Sequence, residues 1–167
     1  PSEDWGTMEK LSREKEVVGI YISGHPLDDF KIEMKTFCNG VIADFNDLEA
    51  AVNQNIKFGG VVTDVQHRVS KQGKGWAIFT IEDYTDSFDF RIFGEDYLKF
   101  RHFLVQNSFV HVQAFVKEGW VNRDTGKKGD PRIQFNNFQL LHDVMDTYAK
   151  KLSVQLNVAE LKSDTIS

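Results

Sequence analysis

Trp76-Ala77-Ile78-Phe79-Thr80-Ile81-Glu82-Asp83 is followed, past a turn at Thr85-Asp86-Ser87, by Phe88-Asp89-Phe90-Arg91-Ile92-Phe93. Both stretches alternate. Successive side chains of a strand point to opposite faces, so Phe88, Phe90 and Ile92 share one face and Asp89, Arg91 and Phe93 the other. The first set is uniformly apolar and is assigned to a core, where Ala77, Phe79 and Ile81 match it. Trp76, Ile78 and Thr80 are left outside, beside Arg91 and Phe93.

Working outward, Ile56 to Val69 predicts a long first strand. Gly59-Gly60 inside it suggests a bulge or sharp bend, which a strand needs when it serves both sheets of a small barrel. Lys71-Gln72-Gly73-Lys74-Gly75 is a turn into the second strand. Gly94 to Leu104 predicts a short helix, with Tyr97, Phe100, Arg101 and Leu104 at helical spacing. Phe109 to Lys117 and Arg132 to Leu140 predict two more strands around a polar loop, Glu118 to Pro131. The order β-β-β-α-β-β predicts a mainly β chain built on a five-stranded OB-fold barrel, its helix plugging one end.

The barrel is expected over residues 55–142, preceded by a helical linker segment over 1–54 and followed by the start of a further region over 143–167. Met8, Leu11, Val18 and Ile22 recur at helical spacing until Gly24 and Pro26 stop the helix. A second short helix is expected from Pro26 to Asn39-Gly40, with Leu27, Phe30 and Met34 on its apolar side. Asn46 with Glu49 resembles a capping box for a third. Past Leu141 the chain is expected to leave the barrel, with strand-like alternation over Lys151 to Val158 and then a polar, helical or frayed end. The start at Pro1-Ser2 reads as an excised piece of a longer protein.

With 41% hydrophobic residues, 167 residues are enough for one core with flanking elements. Cys38 is the single cysteine, so no disulfide framework can form within the chain, and a cytoplasmic setting is expected. No apolar run approaches the roughly 20 residues that cross a bilayer, so no membrane partner is expected. A net charge of −5 opposes a dedicated high-affinity nucleic-acid binder, because phosphate contacts supply most non-specific affinity.

A weaker nucleic-acid site remains open. OB-folds bind oligonucleotides on the outer face of strands two and three, flanked by the first-to-second and fourth-to-fifth strand loops. Bases stack on aromatic planes for about 1–3 kcal/mol each, and cations follow the phosphates. The candidates are Arg68, Lys71 and Lys74 at the first loop, with His67 beside them, and Trp76, Arg91 and Phe93 on the face. Around the second loop they are Lys117, Trp120, Arg123, Lys127, Lys128 and Arg132. Glu118, Asp124 and Asp130 cancel three of the five positive charges there. No catalytic residue, metal site or cofactor is assigned. Glu82-Asp83 lacks a third acid for a two-metal site, the five histidines show no metal-ligand spacing, and no phosphate-binding loop is present.

The stretch Glu14-Lys15-Glu16-Val17-Val18-Gly19-Ile20-Tyr21-Ile22-Ser23-Gly24-His25-Pro26-Leu27 resembles a signature of the bacterial DNA polymerase III alpha subunit, the C-family replicative polymerase. Phe58-Gly59-Gly60-Val61-Val62, the glycine turn, Phe79 to Asp83 and Phe88 to Phe93 look like the OB domain of the same family. The resemblance covers roughly residues 7–156. It implies a parent DNA-directed DNA polymerase, a nucleotidyltransferase working in DNA replication within a multi-subunit holoenzyme. Its catalytic aspartates and their Mg2+ would lie in a palm domain outside this chain. Implied partners are the single-stranded DNA template and other domains of the alpha subunit. The tail from about Met145 would begin the region that contacts the clamp-loader tau subunit, truncated here, and tau and the sliding clamp would be met through regions mostly outside the chain. His25 is read as part of a helix stop, without chemistry. Two alternatives stay open: a protein–protein interaction barrel within the holoenzyme, and the anticodon-binding OB domain of a class II aminoacyl-tRNA synthetase. The latter shares the Val62, Phe79, Ile81 and Asp83 pattern, but nothing like Glu14 to Leu27 precedes it.

Overall fold

Asn55–Val69 forms a strand of 15 residues, β1, and its length is what lets one sheet curl into a barrel. The computed structural model describes residues 24–148, so the helix expected over Met8 to Ile22 and the strand over Lys151 to Val158 lie outside the described residues. The first half of β1 pairs with β4 (Phe109–Lys117), from Asn55↔Phe115 to Val61↔Phe109. Its second half pairs with β2 (Gly75–Glu82), from Val61↔Glu82 to Val69↔Gly75. β3 (Ser87–Phe93) adds outside β2, and β5 (Arg132–Leu140) outside β4. All pairs are antiparallel, and the order is β3-β2-β1-β4-β5.

The two ends of that order meet through side chains. Phe90 of β3 and Phe135 of β5 have ring centroids 6.0 Å apart, although their strands are furthest apart in the sheet. Phe79 bridges them, 5.6 Å from Phe90 and 5.8 Å from Phe135. Ala77, Phe79, Ile81, Phe90 and Ile92 are buried as the alternation requires, while Phe88 is half-buried at the rim. These rings prefer offset or tilted contacts and add favourable geometry to a large buried apolar area.

The bend in β1 is displaced from its expected position. The register shifts between Val62 and Asp64, not at Gly59-Gly60. The two glycines answer a different need, close approach. A Cβ at Gly60 would lie 2.7 Å from the Glu82 carbonyl oxygen, and one at Gly59 would collide with the Met34 sulfur.

Met34 belongs to α1 (Lys31–Phe37), which continues a 3-10 turn over Pro26–Phe30. Gly24 has φ +126, a conformation that favours glycine. His25 Nδ1 accepts the Leu27 N–H at 3.1 Å, and Asp28 Oδ2 accepts the His25 N–H at 3.0 Å, a reciprocal cap. α1 stops before Cys38, short of Asn39-Gly40. The third helix expected after Asn46 does not form. A 3-10 turn occupies Ile42–Asn46, capped when Asp44 accepts the Val41 N–H at 2.8 Å, and residues 48–53 are turns. Asn46 does not cap this turn: its amide donates to Asp86 at 2.7 Å, and Asp47 Oδ1 accepts the Ala50 N–H at 3.1 Å instead. The turn delivers Phe45 into the core, 4.8 Å from Phe58 and 5.0 Å from Phe90.

α1 and a helix over residues 141–148 cover the outer face of β1 and β4. From Leu141 to residue 148, as far as the chain is described, it stays packed on the barrel where the sequence led us to expect it to leave. Phe30 packs on Phe109 at 4.9 Å and Phe37 stacks on Tyr148 at 4.4 Å. Beneath them His111, 1% exposed, donates Nε2–H to the Phe37 carbonyl at 3.1 Å while Nδ1 has no partner among the described residues. At the barrel end α2 (Gly94–Phe100) and a 3-10 turn over Arg101–Phe103 supply Phe100, 4.9 Å from Phe138. The helix expected over Gly94 to Leu104 is thus α-helical only as far as Phe100.

Asp83 ties these parts together. It is 4% exposed, and its carboxylate accepts four hydrogen bonds. Oδ2 takes the Ile42 N–H at 2.8 Å. Oδ1 takes the Thr85 N–H at 2.7 Å, the Thr85 hydroxyl at 2.6 Å and the Asp86 N–H at 3.2 Å. Asp83→Ala strands buried donors and is expected to cost about 3 kcal/mol in denaturant unfolding; a loss below about 1 kcal/mol contradicts this role.

Burial lowers the pKa of His111 below its ordinary 6.5, with Lys57 acting in the same direction and the Phe37 carbonyl opposing. The unfolded chain then takes up the proton first as pH falls. Unfolding free energy is expected to be full above about pH 6.5 and to decline below it. His25, also lowered by burial, adds to the same decline. Denaturant titrations across pH should show a shallower acid-side slope for His111→Gln, and an identical slope counts against the buried neutral imidazole.

Candidate nucleic-acid interface

The outer face of β1, β2 and β3 is organised in rows across the strands. Arg68, Trp76 and Phe93 are register partners and form the row nearest the β1–β2 turn. The Trp76 and Phe93 rings are stacked at 5.4 Å and 20°. The Arg68 guanidinium sits 5.9 Å from the Trp76 ring centroid, within cation–π range. Gln66, Ile78 and Arg91 form the next row, about 7 Å along the strands. Asp64, Thr80 and Asp89 form the third.

Hydrogen bonds run down this face. Arg68 donates to Gln66 Oε1 at 2.7 Å, Gln66 donates to Asp64 Oδ2 at 3.3 Å, and Thr80 donates to Asp89 Oδ1 at 2.7 Å. The face is therefore polarised, with aromatics and cations at the turn end and carboxylates further along. Asp64 and Gln66, the rest of the β1 side of this surface, are not among the residues expected from the sequence, and Arg68, expected with the first loop, stands on the face itself. The alternation of these residues with Val65 and His67 carried the signal.

Lys71 and Lys74 are exposed on the β1–β2 turn, which Gly73 closes with φ +76 and an N–H donated to the Ser70 carbonyl at 2.9 Å. His67 does not join them. Its ring nitrogens lie 3.2 Å from the Tyr97 hydroxyl and 3.3 Å from the Leu104 carbonyl, tying β1 to the barrel plug. The Tyr97 ring lies against Gly75, where a Cβ would meet its Cδ1 at 3.1 Å.

The second loop folds as a small hairpin. Val121 bridges Lys128, the Asn122 N–H donates to Lys127 at 2.9 Å, and the Gly129 N–H donates to Trp120 at 2.8 Å. Asn122 Oδ1 accepts the Asp124 N–H at 2.9 Å and the Thr125 N–H at 3.2 Å, and Gly126 takes φ +65. Arg123 and Lys127 are exposed near its tip, and Trp120 is 61% exposed at its base. Lys128 lies 4.0 Å from Glu49 and 4.0 Å from Glu118, exposed carboxylates that lower the positive potential around it. Lys117 and Arg132 face each other directly across β4 and β5, a like-charge pair that costs stability. Among the described residues no hydrogen bond, ion pair or ring contact joins these loop residues to Trp76, Arg91 or Phe93.

Among the described residues, no group of three or more His, Cys, Asp or Glu is placed to hold a metal, and no helix is long and apolar enough to cross a membrane. Burial pushes the Cys38 thiol up to about 12, far from a reactive thiolate.

Residues 56–142 match the family model described as the OB-fold nucleic acid binding domain. The chain belongs to this family. Around that barrel it is similar to curated polymerase subunits. DNA polymerase III subunit alpha of Saccharopolyspora erythraea is 31% identical over 118 residues, 70% of this chain and 10% of the relative. The subunit of Campylobacter jejuni is 33% identical over 123 residues, 71% of this chain and 10% of the relative. That of Neisseria meningitidis is 28% identical over 153 residues, 91% of this chain and 12% of the relative. The resemblance to the polymerase alpha subunit therefore stands. It extends beyond the barrel, as an isolated anticodon-binding domain would not. The chain spans about a tenth of the length of these relatives.

The loop's position depends on Gly119, where a Cβ would strike the Gly129 carbonyl. Gly119→Ala should open the hairpin, and amide hydrogen exchange over residues 120–129 is expected to accelerate about tenfold or more. Unchanged protection there would show that the contact is dispensable.

Proposed function

We propose that this chain is a non-catalytic module of a replicative DNA polymerase that binds single-stranded template weakly and without sequence preference. The row Arg68–Trp76–Phe93 carries the reading. It puts a cation and two stacked aromatics on the OB face at the turn bearing Lys71 and Lys74. Such a pairing serves any base sequence, because every base has a π-face and every link a phosphate. The Lys117–Arg132 pair supports it, since an anion placed between two like charges relieves their repulsion. In this reading phosphoryl transfer and its Mg2+ belong to a palm domain elsewhere in the parent. The tau subunit and the clamp are met outside the barrel. A protein-contact role is favoured at the second loop, where Trp120 and Val121 are both exposed at the base of the hairpin.

Charge sets the strength. With about three net phosphate contacts the salt slope for a single strand is about −2, and the affinity of the isolated chain falls at about 10–100 μM. Tethering beside the template raises the effective concentration to the order of mM, which suffices. Fluorescence anisotropy of labelled oligo-dT at low salt should give this affinity and slope, and Trp76→Ala with Arg91→Ala should abolish binding. No signal at about 200 μM protein, or a double variant that binds as wild type does, rejects the reading.

A further inference from the structure

Trp76 is enclosed on both sides. Phe93 reaches it from β3 and Arg68 from β1, the two strands that flank β2. The Phe93 ring lies near-parallel to the indole at 5.4 Å, and the Arg68 guanidinium stands over it at 5.9 Å. Trp76 is half-buried, whereas Phe93 is 57% exposed. β3 ends the strand order, so no further strand of the sheet stands on the other side of Phe93.

We infer that the stacking platform for a nucleic-acid base is the outward face of the Phe93 ring, with Trp76 a positioning residue that holds that ring in place. Stacking requires a ring face that the base can reach. To offer one, Trp76 would have to shed Phe93 or Arg68, whereas Phe93 offers one without rearrangement. Arg91 lies on the same face of β3, one row along at about 7 Å, where the phosphate next to a base on Phe93 would pass. One row further, Asp89 is held in place by the Thr80 hydroxyl. Its carboxylate repels a phosphate backbone continuing along β3. The strand is therefore confined to the turn end of the face and crosses the sheet edge at Phe93.

This inference rests on the single-strand-binding reading and refines where the base lies. The test is oligo-dT anisotropy at low salt with the full chain and four single variants, each checked by thermal melt. Phe93→Ala is expected to weaken binding about tenfold or more with an unchanged melt, because its side chain is exposed. Phe93→Tyr should bind as wild type does. Trp76→Phe keeps an aromatic brace and should stay within about threefold, and Asp89→Asn should tighten binding. Wild-type binding with Phe93→Ala unchanged, or with Trp76→Phe as damaging as Phe93→Ala, overturns the inference and leaves the reading intact. Absent wild-type binding overturns both.

Discussion

A single buried carboxylate holds the parts of this molecule in register. Asp83 sits where β2 ends, and its two oxygens face different parts of the structure. One closes the turn into β3, and the other reaches back across the chain to the Ile42 amide. The barrel's hairpin and the segment that precedes it thus meet at one buried side chain, with the Ala43–Thr85 and Asn46–Asp86 hydrogen bonds beside it. Tyr84, beside it, donates to Asp28 at 3.0 Å and packs on His25 at 4.3 Å, so the Gly24-His25-Pro26-Leu27 stretch is locked onto the same turn. The resemblance that identifies the polymerase signature therefore ends in a structural joint. His25 caps a turn and braces a tyrosine, so its place in the joint has a structural cause.

The outer face proposed to bind a single strand depends on this joint indirectly. Phe90 and Ile92 must stay buried for Arg91 and Phe93 to point out, and the turn at Asp83 sets the register that puts Phe93 opposite Trp76. A slip of one residue would exchange the two faces of β3. The polarity of the outer surface follows from the same register. Cations and rings gather at the β1–β2 turn, and Asp64 and Asp89 share a row further along. A chain of net charge −5 can in this way carry a local site for an anion.

Strand order and facing were legible in the sequence because period-two alternation is a local property. Residues 76–93 and 109–140 needed no knowledge of their neighbours, and β4 and β5 occupy the stretches read for them. What was not legible depended on distant partners. Gly59 and Gly60 look like bulge residues until Met34 and Ile81 are seen pressing on them. Asn46 looks like a cap until Asp86 is found to hold its amide. His67 looks like part of a basic loop until Tyr97 and Leu104 are seen to engage its ring. At the site, residue types were readable, but the enclosure of Trp76 was not, since it requires three strands to be aligned at once.

The double duty of β1 also governs the order in which the molecule can assemble. Its pairing with β2 joins residues close in sequence, from Val69 and Gly75 outward, and can form as soon as that hairpin exists. Its pairing with β4 joins Asn55 to Phe115 and must wait until a long intervening stretch has been made and threaded into place. Non-local pairing of this kind is slow. Without β4 and β5, the meander of β1, β2 and β3 would leave Phe79 and Phe90 bare on a face meant for the interior. With them, the sheet becomes a closed body whose apolar rings are no longer available to other chains.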